Sequence, residues 1–243
     1  MPPAIFCYVG GKAKLKKRLI PMFPTHTTYV EPFVGGGAIF FGKPLAERNI
    51  LNDKNKELMI QYSNLKTRSP ADPNDYPTPN TKEEQLKLLK SNSSSYATKL
   101  IQYIIKKCGG FSGRDVTNKV YRVVNLKRKL KHLPKYKEML KNTTLTSADY
   151  KIVIKTYDSP SSFFFLDPPY ENSKGIYKNF NIDYDEMAKL LKSIKGKFMV
   201  TINDSEAIRN AFKGFKIKPI IVRGGSGEGL GQTDRNELVI TNY

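Results

Sequence analysis

The sequence predicts an α/β protein built on one doubly wound sheet, interrupted by a basic helical segment. Three observations predict it. Strand, glycine turn, helix, strand and helix patterns follow one another from Thr28 to Asn64. Apolar runs and helical patterns alternate again from Thr144 onward. Between them the hydrophobic period becomes helical and the charge strongly positive. At 243 residues the chain can bury one generous core, or one core carrying an insertion. The expected division is residues 1–64 and 143–243 for the α/β domain, with residues 65–142 as the insertion.

Each element has a local reason. Thr28-Tyr29-Val30-Glu31-Pro32-Phe33 reads as a strand running into Val34-Gly35-Gly36-Gly37, a short helix follows, and Asn49-Ile50-Leu51-Asn52-Asp53 reads as a second strand ending in an acid. That is a βαβ opening. Pro70, Pro73, Pro77 and Pro79 among small polar residues mark a linker or surface loop. Thr81 and Glu84 fit a capping box at the start of the first inserted helix. Tyr96, Leu100, Ile104 and Ile105 mark one face of a second helix, which Gly109 and Gly110 end. Val120, Val123, Val124, Leu126, Leu130 and Leu133 line a third, whose other face carries Arg122, Lys127, Arg128, Lys129 and Lys131. Later strands are expected at residues 144–148, 162–166, 197–202, 216–222 and 237–241, with helices at 184–195 and 204–212. The glycine-rich run from Gly224 to Gly231 reads as a flexible connection between the last two strands, and no internal repeat is found.

Composition narrows the class of function. The formal net charge of +19 points to a polyanionic partner. From Thr81 to Lys141 sixteen Lys or Arg face four acids, a net of +12, so one quarter of the chain holds most of the excess. A lysine-rich solvated surface, the alternative reading, explains a diffuse excess better than a concentrated one. The two histidines, His26 and His132, are far apart and without ligand partners nearby, which argues against a zinc site or a His-based hydrolase. Cys7 and Cys108 match no metal spacing, and two thiols are a poor staple for a chain of this length, which points to a reducing compartment and no structural metal. No apolar run approaches the ~20 residues that span a bilayer, and the first residues lack the pattern of a secretory signal. A cytoplasmic protein is expected, or a virus- or phage-encoded one acting inside its host.

The chemistry gathers around Asp167-Pro168-Pro169-Tyr170, directly after the apolar run Ser162-Phe163-Phe164-Phe165-Leu166. Two prolines force a rigid exit from the strand. A carboxylate, a backbone carbonyl and an aromatic face are then held together at the carboxyl end of a sheet, where open α/β sheets bind ligands. Carboxylate and carbonyl can accept both hydrogens of an exocyclic amine while the tyrosine stacks on its ring. Taken alone, the tetrapeptide reads equally well as a plain turn. Glu31-Pro32-Phe33-Val34-Gly35-Gly36-Gly37 has the context of a nucleotide loop, but neither the dinucleotide fingerprint nor a Walker loop. Asp53 stands 16 residues beyond Gly37, where an acid can bind ribose hydroxyls or cap a helix. Tyr8-Val9-Gly10-Gly11-Lys12 offers an aromatic, a permissive backbone and a cation, or an ordinary turn. Ser147-Ala148-Asp149-Tyr150 leaves another acid at a strand end.

These five motifs, in this order, resemble the Dam-like (D12 class, α-type) DNA adenine-N6 methyltransferases, as does the closing Asn236-Glu237-Leu238-Val239-Ile240-Thr241-Asn242-Tyr243. The resemblance implies a class I, Rossmann-like methyltransferase fold and S-adenosylmethionine as cofactor. It implies that Tyr8, Gly10, Gly11 and Lys12 help bind that cofactor, and that Glu31, Phe33, Gly35 and Gly37 pass beside its methionine part. Asp53 would take its ribose, Asp149 and Tyr150 its adenine. Asp167 would lie between cofactor and target base, with Asp167, Pro168 and Tyr170 as the catalytic set acting on a flipped adenine. The insertion becomes the target-recognition element for double-stranded DNA, with Arg114, Arg122, Lys127, Arg128 and Lys129 as DNA contacts. Arg114, in Gly109-Gly110-Phe111-Ser112-Gly113-Arg114, is the candidate base reader or a phosphate contact. The GATC enzymes carry an Asn-Gly pair and an Arg before a Gly-x-Phe-Asn-x-Pro stretch; this chain does not, so GATC is not implied. RNA adenine or DNA cytosine N4 as target, and a non-catalytic nucleic-acid-binding subunit, stay open as alternatives. So do a partner restriction endonuclease in a restriction-modification pair and a monomer or weak dimer.

Overall fold

The computed structural model describes residues 2–8, 10–109, 122–170, 182–222 and 235–243. Its strands are β1 (Thr28–Glu31), β2 (Arg48–Asn52), β3 (Thr143–Thr146), β4 (Ser162–Leu166), β5 (Lys197–Asn203), β6 (Lys216–Val222) and β7 (Arg235–Thr241). Its helices are α1 (Lys16–Leu19), α2 (Lys56–Thr67), α3 (Lys82–Lys90), α4 (Tyr96–Cys108), α5 (Leu126–Leu130), α6 (Leu133–Lys141), α7 (Tyr150–Tyr157), α8 (Tyr184–Ser193) and α9 (Glu206–Ala211). The strands form one seven-stranded sheet in the order β3-β2-β1-β4-β5-β7-β6. β1 runs parallel to both β2 and β4, β4 parallel to β5, and β7 antiparallel to β5 and β6. This is the class I methyltransferase sheet that the motifs led us to expect. The chain winds outward from β1 to β2, then returns to lay β4 on the other side of β1. The switch point therefore falls between β1 and β4, and ligands bind outside the carboxyl ends of such a pair.

Burial explains the central strands. Phe163, Phe164, Phe165 and Leu166 are all fully buried, as expected of a parallel strand covered on both faces. β6 instead alternates and is largely exposed, and as the edge strand it accommodates Pro219 within its ladder. Among the described residues no helix is long and apolar enough to cross a membrane. The run Gly224–Gly231 lies outside the described residues.

The chain forms two compact units. One comprises Met1–Ala13, Gly35–Leu45 and Asn55–Ser147; the other comprises Lys14–Val34, Ala46–Lys54 and Ala148–Tyr243. The N-terminal motif and Gly35–Gly37 thus belong to the unit that holds the helical segment.

In the first unit the N-terminal residues are anchored side chain by side chain. The Phe6 ring meets Tyr62 and Tyr103 edge-on, with centroids 5.0 and 5.1 Å away. Tyr136 donates to the Pro3 carbonyl at 3.0 Å. Cys7 and Cys108 form a disulfide with Cα atoms 4.9 Å apart, which corrects the reading of two thiols that staple nothing. Closing a loop of this size removes roughly 4–5 kcal/mol of chain entropy from the unfolded state in the loop-closure picture.

The capping box of Thr81 and Glu84 is present at α3. Four expectations need correction. The helix after the glycine loop is only a 3₁₀ turn, Phe40–Gly42, because Lys43 must be extended before Pro44. In α4 the buried face is Ala97, Leu100, Ile101, Ile104 and Ile105, while Tyr96 is exposed and receives a hydrogen bond from Arg68. Val120 lies outside the described residues; residues 122–125 are not helical, and the third inserted helix starts at Leu126. Val124 lies outside any helix, both its backbone groups bonded by the buried Gln85 side chain at 3.1 and 2.8 Å, and Asn125 then caps the short α5. A new helix, α6, starts at Leu133 with Pro134 in its first turn, so Leu133 belongs to it rather than to α5.

Candidate active site

In the second unit three strand ends, those of β1, β2 and β4, and the start of α7 carry the candidate residues. Thr28, Tyr29 and Val30 pair with Ser162, Phe163 and Phe164, so β1 and β4 deliver the Glu31-Pro32-Phe33 and Asp167-Pro168-Pro169-Tyr170 exits side by side. Asp167 follows Leu166 and accepts a hydrogen bond at Oδ1 from Thr201 Oγ1, 3.1 Å away on β5. The Pro169 carbonyl accepts from the Tyr184 hydroxyl, which ties the turn to α8. Tyr170 and Phe33 are partly buried against the same apolar cluster. Glu31 is buried and accepts from the Tyr29 hydroxyl at 2.8 Å. Burial, and then the Glu31 charge, push the Tyr29 phenol far up, so it remains a donor.

Beside these exits lies a pocket whose aromatic wall is Phe33 and Tyr150, ring centroids 5.3 Å apart. Asp149, Asp183 and Glu186 supply its acids, and Lys54 and Lys151 its cations. Asp149 was read as the end of a strand; it is instead the N-cap of α7, its Oδ1 accepting from the Lys151 N–H at 3.0 Å. Its Oδ2 lies 3.7 Å from Lys54 Nζ. The Tyr150 phenol is pushed up to about 12 by burial, helped by Glu186, Asp149 and Asp183, so it stays neutral. Asp53, half-exposed, follows β2 between two lining residues, Asn52 and Lys54. An arrangement of this kind suits a planar aromatic ring bearing an amine, with ring faces for stacking and carboxylates for the N–H groups.

Asn52 was not anticipated as part of the site. It is 1% exposed, donates to the Pro32 and Ala148 carbonyls at 2.9 and 3.1 Å, and accepts from the Ala148 N–H at 2.8 Å. One amide thus fastens the residue before Phe33 to the residue before Asp149. The only signal in the sequence was a second polar residue at the strand end, next to Asp53.

The first unit holds the other motif residues. Gly11 N–H bonds the Tyr8 carbonyl at 3.2 Å, and the buried Lys12 donates to the Gly10 carbonyl at 2.9 Å. Lys107 lies 5.3 Å above the Tyr8 ring, and Asn55 donates to the Tyr8 hydroxyl. Gly35 accepts from the Tyr62 hydroxyl at 2.9 Å. Gly37 has φ +70°, and a Cβ there would lie 2.8 Å from the Phe41 ring. At Gly36 a Cβ would come within 2.2 Å of the Phe6 carbonyl oxygen. Packing alone therefore demands glycine at both positions. Gly36→Ala is expected to cost about 2 kcal/mol, the penalty of an overpacked site, and to lower Tm by roughly 4–8 °C in a thermal melt.

Of the expected DNA contacts, Arg114 lies outside the described residues, while Arg122, Lys127 and Arg128 are exposed. Lys129 is a correction. Its Nζ turns inward and donates to the Ala4 and Ile5 carbonyls at 3.3 and 3.0 Å. Burial, with the charge of Arg128 adding to it, lowers the Lys129 ammonium to about 8. Replacing Lys127 and Arg128 together with Ala should weaken binding of any duplex and reduce the salt slope of log K by about two. Lys129→Ala should lower stability and leave that slope unchanged. Titrations of one labelled duplex at several salt concentrations check both.

Comparison with known proteins identifies the family. The family model of the D12 class N6 adenine-specific DNA methyltransferases matches residues 8–223. The Type II methyltransferase M.CviBI of Paramecium bursaria Chlorella virus NC1A is 26% identical, covering 96% of this chain and 97% of that protein. The Type II methyltransferase M1.LlaDCHI of Lactococcus lactis subsp. cremoris is 24% identical, covering 97% of this chain and 94% of that protein. The DNA N-6-adenine-methyltransferase of Escherichia phage P1 is 25% identical over 90% of this chain, which spans 32% of that protein.

Proposed function

The chain belongs to the D12 class N6 adenine-specific DNA methyltransferase family, and from that membership we propose how its own residues carry a methyl group from S-adenosylmethionine to adenine N6. The observation that carries the reading is the place of Asp167-Pro168-Pro169-Tyr170, at the carboxyl end of β4 beside β1, with the carboxylate held by Thr201.

Adenine N6 is a poor nucleophile because its lone pair is delocalised into the ring. The Asp167 carboxylate and the Pro168 carbonyl accept its two hydrogens, which favours a pyramidal nitrogen with a localised lone pair. What remains for the protein is alignment and stabilisation of developing positive charge on that nitrogen. The proton leaves after the new N–C bond has formed. Tyr170 stacks on the target adenine once it has left the duplex, a step required because the amine is otherwise within the base stack.

The pocket fits the adenine end of the cofactor: Phe33 and Tyr150 wall the ring and Asp149 takes its amine. Asp53 takes the ribose hydroxyls. Tyr8, Gly10, Gly11 and Lys12, with Glu31, Gly35 and Gly37, serve the methionine end. The cofactor supplies a methyl group on a sulfonium, a leaving group that needs no activation by the protein.

Residues 65–142 act as the DNA-recognition element, supported by the exposed cations Arg122, Lys127 and Arg128. Most of these contacts fall on phosphates, which fix register and carry no sequence information. A setting beside a restriction endonuclease, and a monomer or weak dimer, belong to the same proposal. Transfer of labelled methyl to unmethylated genomic DNA, followed by mass spectrometry of the nucleosides, tests the whole reading. N6-methyladenine within one short motif is the expected product. N4-methylcytosine, or label in RNA only, would overturn it.

A further inference from the structure

From the contact between β4 and β5 we propose that Thr201 is a positioning residue for methyl transfer, its hydroxyl orienting the Asp167 carboxylate toward the adenine amine. The inference rests on the reading of Asp167 as the amine acceptor.

The case begins with the strand. Phe198, Met199, Val200, Thr201 and Ile202 are all 0% exposed, so β5 is a buried apolar run with one hydroxyl in it. A valine has the same shape and carries no polar atom to desolvate. A hydroxyl in this place costs stability unless it is bonded. Its bonds explain it: Oγ1 lies 3.1 Å from Asp167 Oδ1 and at 3.5 Å from the Leu166 carbonyl. With one hydrogen to give, the shorter contact to a charged acceptor dominates.

The register makes this contact systematic. Phe163 to Leu166 pair with Lys197 to Val200, so the next step along both strands brings Asp167 beside Thr201. Thr201 is thus the residue of β5 that the sheet itself delivers to the catalytic carboxylate.

A hydroxyl also suits the task better than a cation. It fixes the plane of the carboxylate through one oxygen without neutralising it. A carboxylate has about four lone-pair sites, so the group remains able to accept an amine hydrogen. A lysine or arginine in the same place would compete for the charge that the amine needs.

The test is a pair of variants with opposite expected signatures. Thr201→Val should keep or raise Tm and leave the KM for S-adenosylmethionine unchanged, while kcat falls roughly 10- to 100-fold, the range for one hydrogen bond to a charged group. Thr201→Ser should melt lower for want of a methyl group and keep kcat within a few-fold of the parent. Adding Thr201→Val to Asp167→Asn should slow the enzyme no further. Turnover at the parent rate in Thr201→Val, equal slowing in both single variants, or additive losses in the double variant would each overturn the assignment. An active Asp167→Ala would instead remove the reading on which it rests, so the two failures are distinguishable.

Discussion

Asp167→Ala is expected to lower methyl transfer at least about 10³-fold while the protein folds and binds S-adenosylmethionine much as before. Removing one positioned hydrogen-bond group from a charge-developing transition state typically costs 10²- to 10³-fold. Here the lost group is also the one that localises the lone pair, so the loss falls on the step itself. Folding should survive because Asp167 is only partly buried and stands one residue beyond β4. The wall of Phe33 and Tyr150 is untouched, so the adenine end of the cofactor keeps its contacts. Single-turnover transfer of labelled methyl to duplex DNA gives the rate, and calorimetric titration of the cofactor gives the affinity. Turnover within tenfold of the parent would sink the assigned role; loss of cofactor affinity by the same factor as the rate would move Asp167 from chemistry to binding.

Much of the α/β part was legible because its signals are local. β4 is a run of four large apolar residues stopped by Asp-Pro-Pro, and its expected bounds coincide with the strand. β6 likewise matches at both ends. The capping box at α3 is a reciprocal pair three residues apart and was visible in four letters. What escaped was set by distant partners. Cys7 and Cys108 are 101 positions apart, and nothing near either announces the other. Lys129 was placed on a solvated face by extending a helical period back to Val120. Because Gln85 takes both backbone groups of Val124 and Asn125 starts the helix afresh, the phase of α5 is different and Lys129 turns inward. The same blindness hid Thr201 and Asn52, whose roles arise only when strands far apart in sequence lie side by side.

The two carboxylates proposed to accept an amine are held in different ways. Asp149 is tied locally, as the cap of the helix that begins with Tyr150. Asp167 is tied across strands, by a hydroxyl from β5. On the roles proposed above, the first arrangement fixes a binding group to the start of α7, and the second fixes the amine acceptor to the rigid centre of the sheet. Sites carried on sheet and helix ends are held more closely than sites on loops, which is what in-line transfer demands.

Asn52→Leu should be the most damaging change that leaves every proposed catalytic and cofactor contact residue in place. The substitution keeps the volume but removes partners from the Pro32 carbonyl, the Ala148 carbonyl and the Ala148 N–H. Leaving such groups unpaired costs about 1–3 kcal/mol each when buried, and apolar packing by leucine offsets part of it. A net loss of about 3 kcal/mol, or roughly 6–12 °C in Tm, follows for a chain of this size. The functional effect should be separate from the thermal one. Phe33 and the Asp149-Tyr150 pair lose their common anchor, and a misplacement on the order of 1 Å costs up to about 10²-fold. The KM for S-adenosylmethionine should therefore rise at least about tenfold at a temperature where the variant is folded, with kcat at saturating cofactor falling less. That split is the reverse of the one expected for Asp167→Ala. Asn52→Asp, which keeps the acceptor but turns a carboxylate toward two carbonyl oxygens, should be no better than leucine. Cofactor affinity at the parent value in either folded variant would confine Asn52 to stability and detach it from the site.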